Sequence, residues 1–270
     1  MKNVTRGLAV FLLLALAACA SVTRAPVTSP QVLEPPSASQ AACGDRQFEG
    51  EGFVVCPFDP ARQEVRLASK DASGNYIHTF AALESALGLN ASRVDFAMNA
   101  GMFEASGAPV GLFVSNGIEQ HGLVTNNGTG NFYMKPNGVF FLDMAGVPHV
   151  ETTERYAAHQ GRALWATQSG PMLLIDGKLN PHFQNDGPSH YVRNGVGITP
   201  NGKAYFAISD APVSFGKFAR MFRDTLGCSN ALYFDGSVSS LWAPALGRED
   251  HGRALGPMVV VLEKSSPLTQ

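Results

Sequence analysis

Short apolar segments recur along the chain from about residue 43 onward. Most of them end at glycine, asparagine, aspartate or serine, which is the pattern of strands separated by turns. Residues 47–57 and 64–68 alternate like a pair of strands. Asn116-Gly117 and residues 200–202 are typical hairpin turns. The other segments that predict strands are residues 94–98, 110–115, 138–142, 165–168, 172–175, 196–199, 204–209 and 231–234.

Two segments have helical spacing instead. Apolar residues recur every three or four positions in residues 79–89 and 215–226. Gly88 and Gly227 mark the ends of these segments, and glycine commonly ends a helix. Strands outnumber helices, so we predict a single α+β domain of mixed, strand-rich sheets with a few packed helices. This domain should cover residues 43–264.

The N-terminal part of the chain has a different pattern. A positively charged start precedes an apolar stretch too short to span a bilayer, so residues 1–18 are predicted to be a signal peptide. The small residues before Cys19 resemble a bacterial lipoprotein cleavage box, which implies that Cys19 is lipidated. Residues 19–42 are rich in proline, serine and alanine and predict a disordered tether. Residues 265–270 are predicted to be a tail.

The predicted export sets the chemical environment of the chain. By resemblance to enterobacterial lipoproteins, Ala20 after Cys19 favours the outer membrane, so we expect a lipid-anchored cell-envelope protein that faces the periplasm. An oxidising compartment permits a disulfide, and Cys43 and Cys56 bracket a short segment that can fold back on itself. We therefore predict that these two cysteines are bonded, and that Cys228 is a buried structural thiol. The net charge of −2 over 270 residues, without a basic patch, gives no indication of a nucleic-acid partner.

Four of the predicted strands lead into glycine next to asparagine, serine, arginine or aspartate. The segments are residues 99–103, 168–171, 193–197 and 235–240. Taken alone, each is explained as a polar turn. Functional side chains gather on loops held by a rigid scaffold, so four such segments with complementary chemistry predict one polar pocket.

Three carboxylates and one arginine are the candidates for catalysis. Asp235 is the best candidate acid, base or nucleophile, because a carboxylate at a strand end followed by glycine is expected next to open backbone N–H groups. Arg193 offers a planar set of donors that suits a phosphate, or else it forms an ion pair at the surface. Asp210 is a candidate second carboxylate, which glycosidic cleavage commonly needs, or else a cap for Val213 and its neighbours. Glu104 is a further candidate partner.

Other polar residues in these segments are candidates for substrate binding. Asn99 either binds hydroxyl or phosphate oxygens or closes a turn onto its own backbone. Ser169 and the N–H of Gly170 add donors. Asn131 and Lys135 belong to a glycine- and asparagine-rich loop whose length indicates a binding loop, although a lysine there is equally well explained as a solvated side chain. The set is completed by Gly101, Gly236, Ser237 and Ser240.

Five segments, in this order along the chain, resemble the bacterial phosphodiester glycosidase family. They are NAGMF at 99–103, NFYMKPNGVF at 131–140, TQSGPMLLIDG at 167–177, RNGVGI at 193–198 and LYFDGSVSSLW at 232–242. The resemblance implies an enzyme that hydrolyses a sugar–phosphate diester at the anomeric carbon and releases the sugar. Ser237 and Val238 stand where related sequences have glycine, which narrows the approach to the backbone and leaves the substrate of this bacterial branch open. The residues that the resemblance assigns to the pocket are Asn99, Gly101, Ser169, Gly170, Arg193, Asp235, Gly236 and Ser240.

The main alternative is a non-catalytic lipoprotein that binds glycans or phosphoglycans of the cell envelope. A serine or cysteine hydrolase using Ser169 or Cys228 is disfavoured, because neither residue lies in a G-x-S-x-G motif. No cofactor is indicated, and the histidines lack the spacing of a metal site. A Ca²⁺ site built from carboxylate and carbonyl oxygens would leave no recognisable pattern. Teichoic-type polymers, phosphoglycans and nucleotide sugars all stay open as substrates.

Overall fold

The computed structural model describes residues 43–158 and 162–265. The predicted signal peptide, Cys19, the predicted tether and residues 266–270 lie outside the described residues. Within the described ranges, no helix is both long and apolar enough to cross a bilayer.

Antiparallel strands are the main regular element. In chain order the first are β1 (Gly44–Phe48), β2 (Glu51–Phe58), β3 (Gln63–Ala68), β4 (Val94–Asn99), β5 (Phe113–Ser115), β6 (Ile118–His121), β7 (Gly138–Asp143) and β8 (Pro148–Thr152). They are followed by β9 (Ala163–Ser169), β10 (Met172–Ile175), β11 (Lys178–Leu179), β12 (Asn194–Ile198), β13 (Ala204–Ser209), β14 (Asn230–Asp235), β15 (Leu241–Ala243), β16 (Arg248–Glu249) and β17 (Met258–Glu263).

The helices are short, and their ends follow ordinary capping chemistry. Thr79 accepts a hydrogen bond from the first turn of α1, and Ser214 does the same for α3. Past its last residue α3 continues as one π-helical turn, Met221–Thr225. The α-helices are α1 (Phe80–Leu87), α2 (Thr153–Ala158) and α3 (Phe215–Arg220). Short 3₁₀ segments lie at Gly88–Arg93, Asn131–Tyr133 and Pro244–Leu246.

The strands form three antiparallel sheets that share one apolar core. Their orders are β1-β2-β13-β12-β14-β10-β11, β16-β15-β4-β17-β3 and β6-β5-β9-β7-β8. At the centre of the core, the ring of Phe206 in the first sheet lies 5.3 Å from Phe96 in the second and 5.4 Å from Phe140 in the third. Each such ring buries a large apolar area, so this contact holds the sheets together. The predicted α+β, strand-rich domain is confirmed.

Each sheet is covered on its outer face by one helix. Phe218 of α3 packs on the first sheet, Phe80 of α1 on the second, and Tyr156 of α2 on the third. A central strand such as β14 is therefore buried on both faces, which explains why its residues 231–234 form an unbroken apolar run instead of an alternating one.

Several predicted elements need correction. Residues 47–57 and 64–68 form strands, but they do not pair with each other: β2 pairs with β1 and β13, and β3 pairs with β17. The strand predicted from residue 110 begins only at Phe113. The segments β6, β8, β11, β15, β16, β17 and α2 were not predicted. The hairpin turns at Asn116-Gly117 and residues 200–202 are confirmed.

The cysteines are arranged as predicted. Cys43 and Cys56 form a disulfide that fastens the β1–β2 hairpin. Cys228 is a free, buried thiol, and burial raises its pKa to about 12. A thiol with so high a pKa holds too little thiolate at neutral pH to act as a nucleophile.

Candidate active site

The four predicted polar segments meet where strands of all three sheets end. Because β12 runs antiparallel to β14, the start of one lies beside the end of the other, and Asn194 is paired with Asp235. The Asn194 side chain donates to the backbone oxygen of Asn99, the last residue of β4, at 2.6 Å. Ser169, the last residue of β9, donates its hydroxyl to the carbonyl of Phe234 at 3.0 Å.

Asn99 keeps one hydrogen-bond donor free in a fully buried position. Its Oδ1 accepts from the backbone N–H of Ser240 at 2.9 Å and from Asn194 at 3.1 Å. Since a backbone N–H can only donate, these contacts fix which end of the amide is the oxygen. The Nδ2 group is buried and has no partner within the described residues. Leaving a buried donor unpaired costs about 1–3 kcal/mol, so this N–H is well suited to a ligand oxygen.

Asp235 is 7% exposed and shapes its own loop. Its Oδ1 accepts the backbone N–H groups of Ser237 and, at 2.7 Å, Val238. This corrects the expectation of open N–H groups beside the carboxylate, because the side chain of Asp235 occupies them. Burial raises the pKa of Asp235, and the N–H groups of the loop oppose that shift only in part. The Ser240 hydroxyl closes the loop by donating to the carbonyl of Val238 at 2.8 Å.

Tyr233 joins the Asp235 loop to the arginine. A Cβ added to Gly236 would overlap the Tyr233 hydroxyl, so glycine is needed for the loop to pack against it. Burial raises the pKa of this phenol, the positive charge of Arg193 lowers it, and the negative charge of Asp235 raises it again. The Arg193 guanidinium lies 5.3 Å from the centre of the Tyr233 ring, so Tyr233 stands between Arg193 and the Asp235 loop.

Arg193 is a fully buried cation without an anionic partner. Its Nε donates to the carbonyl of Val213 at 2.8 Å, and its Nη2 donates to the backbone oxygen and hydroxyl of Ser189 at 2.6 and 3.0 Å. The guanidinium lies 3.6 Å from the centre of the Phe215 ring. Its Nη1 has no partner, and no carboxylate pairs with it in the described ranges. Burial lowers the pKa of Arg193, but arginine stays charged in proteins, so a buried charge is left to be neutralised by an anion.

Two glycines bring neighbouring segments close to these groups. Gly101 has a φ of +134°, and a Cβ there would lie 2.9 Å from the hydroxyl of Thr167. A Cβ on Gly170 would lie 2.8 Å from the carbonyl of Phe132, so its absence lets the Asn131 segment pack against the end of β9. Ser237 contributes its backbone N–H to the loop, and its side chain is exposed.

Three predicted residues make their side-chain contacts outside this cluster or face solvent. Asp210 is exposed and pairs with Arg248 at 3.1 Å, while the predicted alternative role as a helix cap belongs to Ser214. Glu104 is exposed in a turn. Among the described residues, no hydrogen bond or ion pair joins Asp210 or Glu104 to Asp235. Lys135 donates to the carbonyl of Thr125 at 2.7 Å, which ties the glycine-rich loop together.

Some residues of the cluster were missed in the sequence. Tyr233 was read only as a strand residue, although a period of two places it on the same face of β14 as Asp235. Asn194 stands next to Arg193 and was not singled out. No local pattern indicates Ser189, because its contact with Arg193 depends on the path of the intervening loop.

The volume of a cleft alone does not identify the functional site. A cleft of about 540 Å³ is lined by Phe58, Trp165 and Lys264, and it includes none of the residues linked to Asp235 or Arg193. Across the described ranges, no three histidine, cysteine, aspartate or glutamate side chains are grouped to hold a metal ion. The unpartnered N–H groups of Asn99 and Arg193 distinguish the cluster from the rest of the surface.

Comparison with known proteins decides the family. The phosphodiester glycosidase model matches residues 92–262. The chain is also 31% identical over 208 residues to the uncharacterised protein YigE of Escherichia coli strain K12, covering 76% of this chain and 79% of that protein. This chain belongs to the phosphodiester glycosidase family. The resemblance expected from the motifs is confirmed, and the chain is an enzyme of the hydrolase class.

Solved structures with this fold include a eukaryotic and a bacterial protein. The zebrafish N-acetylglucosamine-1-phosphodiester alpha-N-acetylglucosaminidase catalytic domain, auto-inhibited by its pro-peptide, has a TM-score of 0.56 at 15% identity, over 83% of this chain and 82% of that one. A Burkholderia pseudomallei protein described as exported has a TM-score of 0.51 at 12% identity, over 78% and 74%. At these identities the likeness establishes the fold.

The free Nη1 of Arg193 generates a prediction. Inorganic phosphate should raise the thermal midpoint of the protein, because a ligand that binds only the folded state stabilises it by about 2.7 kcal/mol at 100 times its Kd. The rise should disappear in Arg193→Met. Scanning calorimetry at constant ionic strength, with chloride replacing phosphate, measures it.

The matched control is Arg223→Met, which removes a positive charge from an exposed ion pair with Asp224. That variant should respond to phosphate like the unaltered protein. Equal responses of all three proteins would mean that phosphate acts as a general salt and not at Arg193.

Proposed function

We propose that this chain hydrolyses a sugar-1-phosphodiester at the anomeric carbon, releasing the free sugar and a phosphomonoester. The observation that carries the proposal is the buried, unpaired Nη1 of Arg193. Arg193 precedes Asn194, which is paired across β12 and β14 with the buried Asp235. The site thus offers a donor for a phosphate and a base beside it. Family membership supplies the reaction class.

The bond changes follow from this arrangement. The bond between the anomeric carbon and the phosphate oxygen breaks, and the phosphomonoester leaves with the electron pair. Arg193 offsets the negative charge that develops on the leaving phosphate, in a site where burial strengthens the interaction. The oxygen of water bonds to the anomeric carbon, directly or after a covalent intermediate, and its proton passes to a base.

Asp235 is the group proposed to act on the sugar side, as base or nucleophile. Either role needs the ionised carboxylate. Because burial raises the pKa of Asp235, the carboxylate forms only at a pH above the usual value of about 3.9 for aspartate. The Nδ2 of Asn99 and the hydroxyls of Ser169 and Ser240 are proposed to contact the substrate.

The related zebrafish enzyme indicates which substrates to test first. The zebrafish enzyme is named for N-acetylglucosamine-1-phosphodiesters, so such esters are the first substrates to test. We expect free sugar from at least one of them, detected by mass spectrometry. Asp235→Asn and Arg193→Ala should each lower kcat on the order of 100-fold or more, which is typical for a catalytic base or a charge-stabilising donor.

Variants of other carboxylates test whether the loss of activity is specific to Asp235. Asp224→Asn changes an exposed carboxylate that pairs with Arg223, and it should retain full activity. Asp210→Asn tests the second predicted carboxylate: a loss as large as that of Asp235→Asn would assign it a catalytic role. Full activity of Asp235→Asn would contradict the proposed role of Asp235, and sugar binding without turnover would favour a glycan-binding lipoprotein.

The raised pKa of Asp235 also has a consequence for stability. The folded protein holds this proton more tightly than the unfolded chain, so above the usual aspartate pKa this group destabilises the fold increasingly as pH rises through its folded pKa. Asn keeps an oxygen that can accept the Ser237 and Val238 N–H groups. Asp235→Asn should therefore be at least as heat-stable as the native protein at neutral pH, while native kcat/KM falls on acidification. A strongly lowered midpoint would mean a structural role instead.

We also propose that the chain is lipid-anchored through Cys19 to the outer membrane, facing the periplasm. An extracytoplasmic location is supported by the Cys43–Cys56 disulfide and by the structural likeness to an exported protein. Expressed in a Gram-negative host, the mature protein should begin at Cys19, carry the mass of attached lipid and fractionate with the outer membrane. Cys19→Ser should lose the lipid mass and leave that fraction. A native protein without lipid would overturn the anchor.

A further inference from the structure

A cleft that the catalytic steps do not use lies beside Arg193. Its volume is about 230 Å³. Ser189 and Phe215 line it, and both also contact the Arg193 guanidinium. Asn131, which reaches Tyr233, lines it as well. The cleft is therefore next to the buried N–H that has no partner.

The wall of the cleft is held in place by specific contacts. The ring of Phe183 stacks on Phe215 with 4.9 Å between the ring centres. A Cβ on Gly216 would lie 2.5 Å from the backbone oxygen of Asn185, so glycine lets the loop approach the first turn of α3. Arg220 donates to both the backbone oxygen and the side chain of Asn185 at 2.6 Å. The loop that forms this wall is thus fastened to the helix.

The lining selects a particular chemistry. It contains no carboxylate, ammonium or guanidinium group, and its main side chains are Asn131, Met134, His182, Phe183, Ser189 and Phe215. Aromatic and thioether groups favour an apolar face, and the amide and hydroxyl groups offer hydrogen bonds. The volume lies below the roughly 300–1,000 Å³ of pockets for drug-sized ligands, so it suits a group of about one ring.

We propose that this cleft binds the group attached to the far side of the phosphate and selects an uncharged substituent of about one ring with an apolar face. This inference rests on the proposed function, with the phosphate at Arg193. A second phosphate in the cleft would meet no lysine or arginine side chain of the described lining, so a nucleotide sugar should be a poor substrate. The same holds for a repeating polyanionic polymer.

The test compares esters of one sugar-1-phosphate that differ only beyond the phosphate. Benzyl and methyl esters have similar leaving groups, and only benzyl fills the cleft. The benzyl ester should have a kcat/KM about tenfold or more above the methyl ester, the factor expected for burying one apolar ring. The uridine diphosphate sugar should fall below both. Equal values for the benzyl and methyl esters would overturn the proposal.

Two variants test whether the preference for the benzyl ester arises in this cleft. Phe183→Ala and Met134→Ala each remove part of the cleft wall, and each should bring the benzyl-to-methyl ratio towards one. Leu246→Ala, at an exposed turn outside the cleft, is the control and should keep the native ratio. An unchanged ratio in both cleft variants would place the preference elsewhere and overturn the assignment.

A binding measurement separates failure of this inference from failure of the proposed function. Benzyl phosphate and methyl phosphate are titrated into the native protein by calorimetry, without turnover. Benzyl phosphate should bind about tenfold or more tightly, and both should lose affinity in Arg193→Met. If no diester is hydrolysed but this preference holds, the reaction is wrong and the cleft assignment stands. If diesters are hydrolysed and the two phosphates bind equally, the cleft assignment is wrong.

Discussion

The uncompensated charge of Arg193 is the constraint on which the site depends. A buried cation without an anion is costly, and the fold tolerates it only because Val213, Ser189 and the face of Phe215 satisfy most of the guanidinium. The Nη1 group, with its two N–H donors, is left over. The same strand pair places Asp235 beside Asn194, the neighbour of Arg193, and burial disfavours the ionised form of Asp235 as well. The protein therefore keeps two unfavourable groups close together, and binding of an anion relieves the first of them.

The rest of the fold explains how such groups are held. Three sheets meet on one aromatic core around Phe206, and each has a helix on its outer face. Strand ends from different sheets are thereby fixed against each other, and the Asn99–Asn194–Ser240 hydrogen bonds join two of them directly. Side chains on such a scaffold lose little freedom on binding a substrate, which is the condition for electrostatic stabilisation without rearrangement.

The sequence was informative where structure is local. Apolar runs and turn residues predicted most strands, the glycine that ends α1 and the β12–β13 hairpin, and motif order predicted the family. The pairing of β3 with β17 was missed, because it joins opposite ends of the domain and leaves no periodic signal. The contact of Arg193 with Phe215 and the position of the Tyr233 hydroxyl also depend on packing between distant segments. Asp235 was singled out correctly as a carboxylate at a strand end, but its capture of the Ser237 and Val238 N–H groups was not foreseen.

The central claim is that the bond cleaved is the one between the anomeric carbon and oxygen, with the phosphate as leaving group at Arg193. Hydrolysis of a sugar-1-phosphodiester in ¹⁸O-labelled water tests it directly, because ¹⁸O bound to phosphorus shifts the ³¹P resonance. The account predicts that the released phosphomonoester carries no ¹⁸O, since water attacks carbon. Label in the phosphomonoester would show attack at phosphorus and contradict the account.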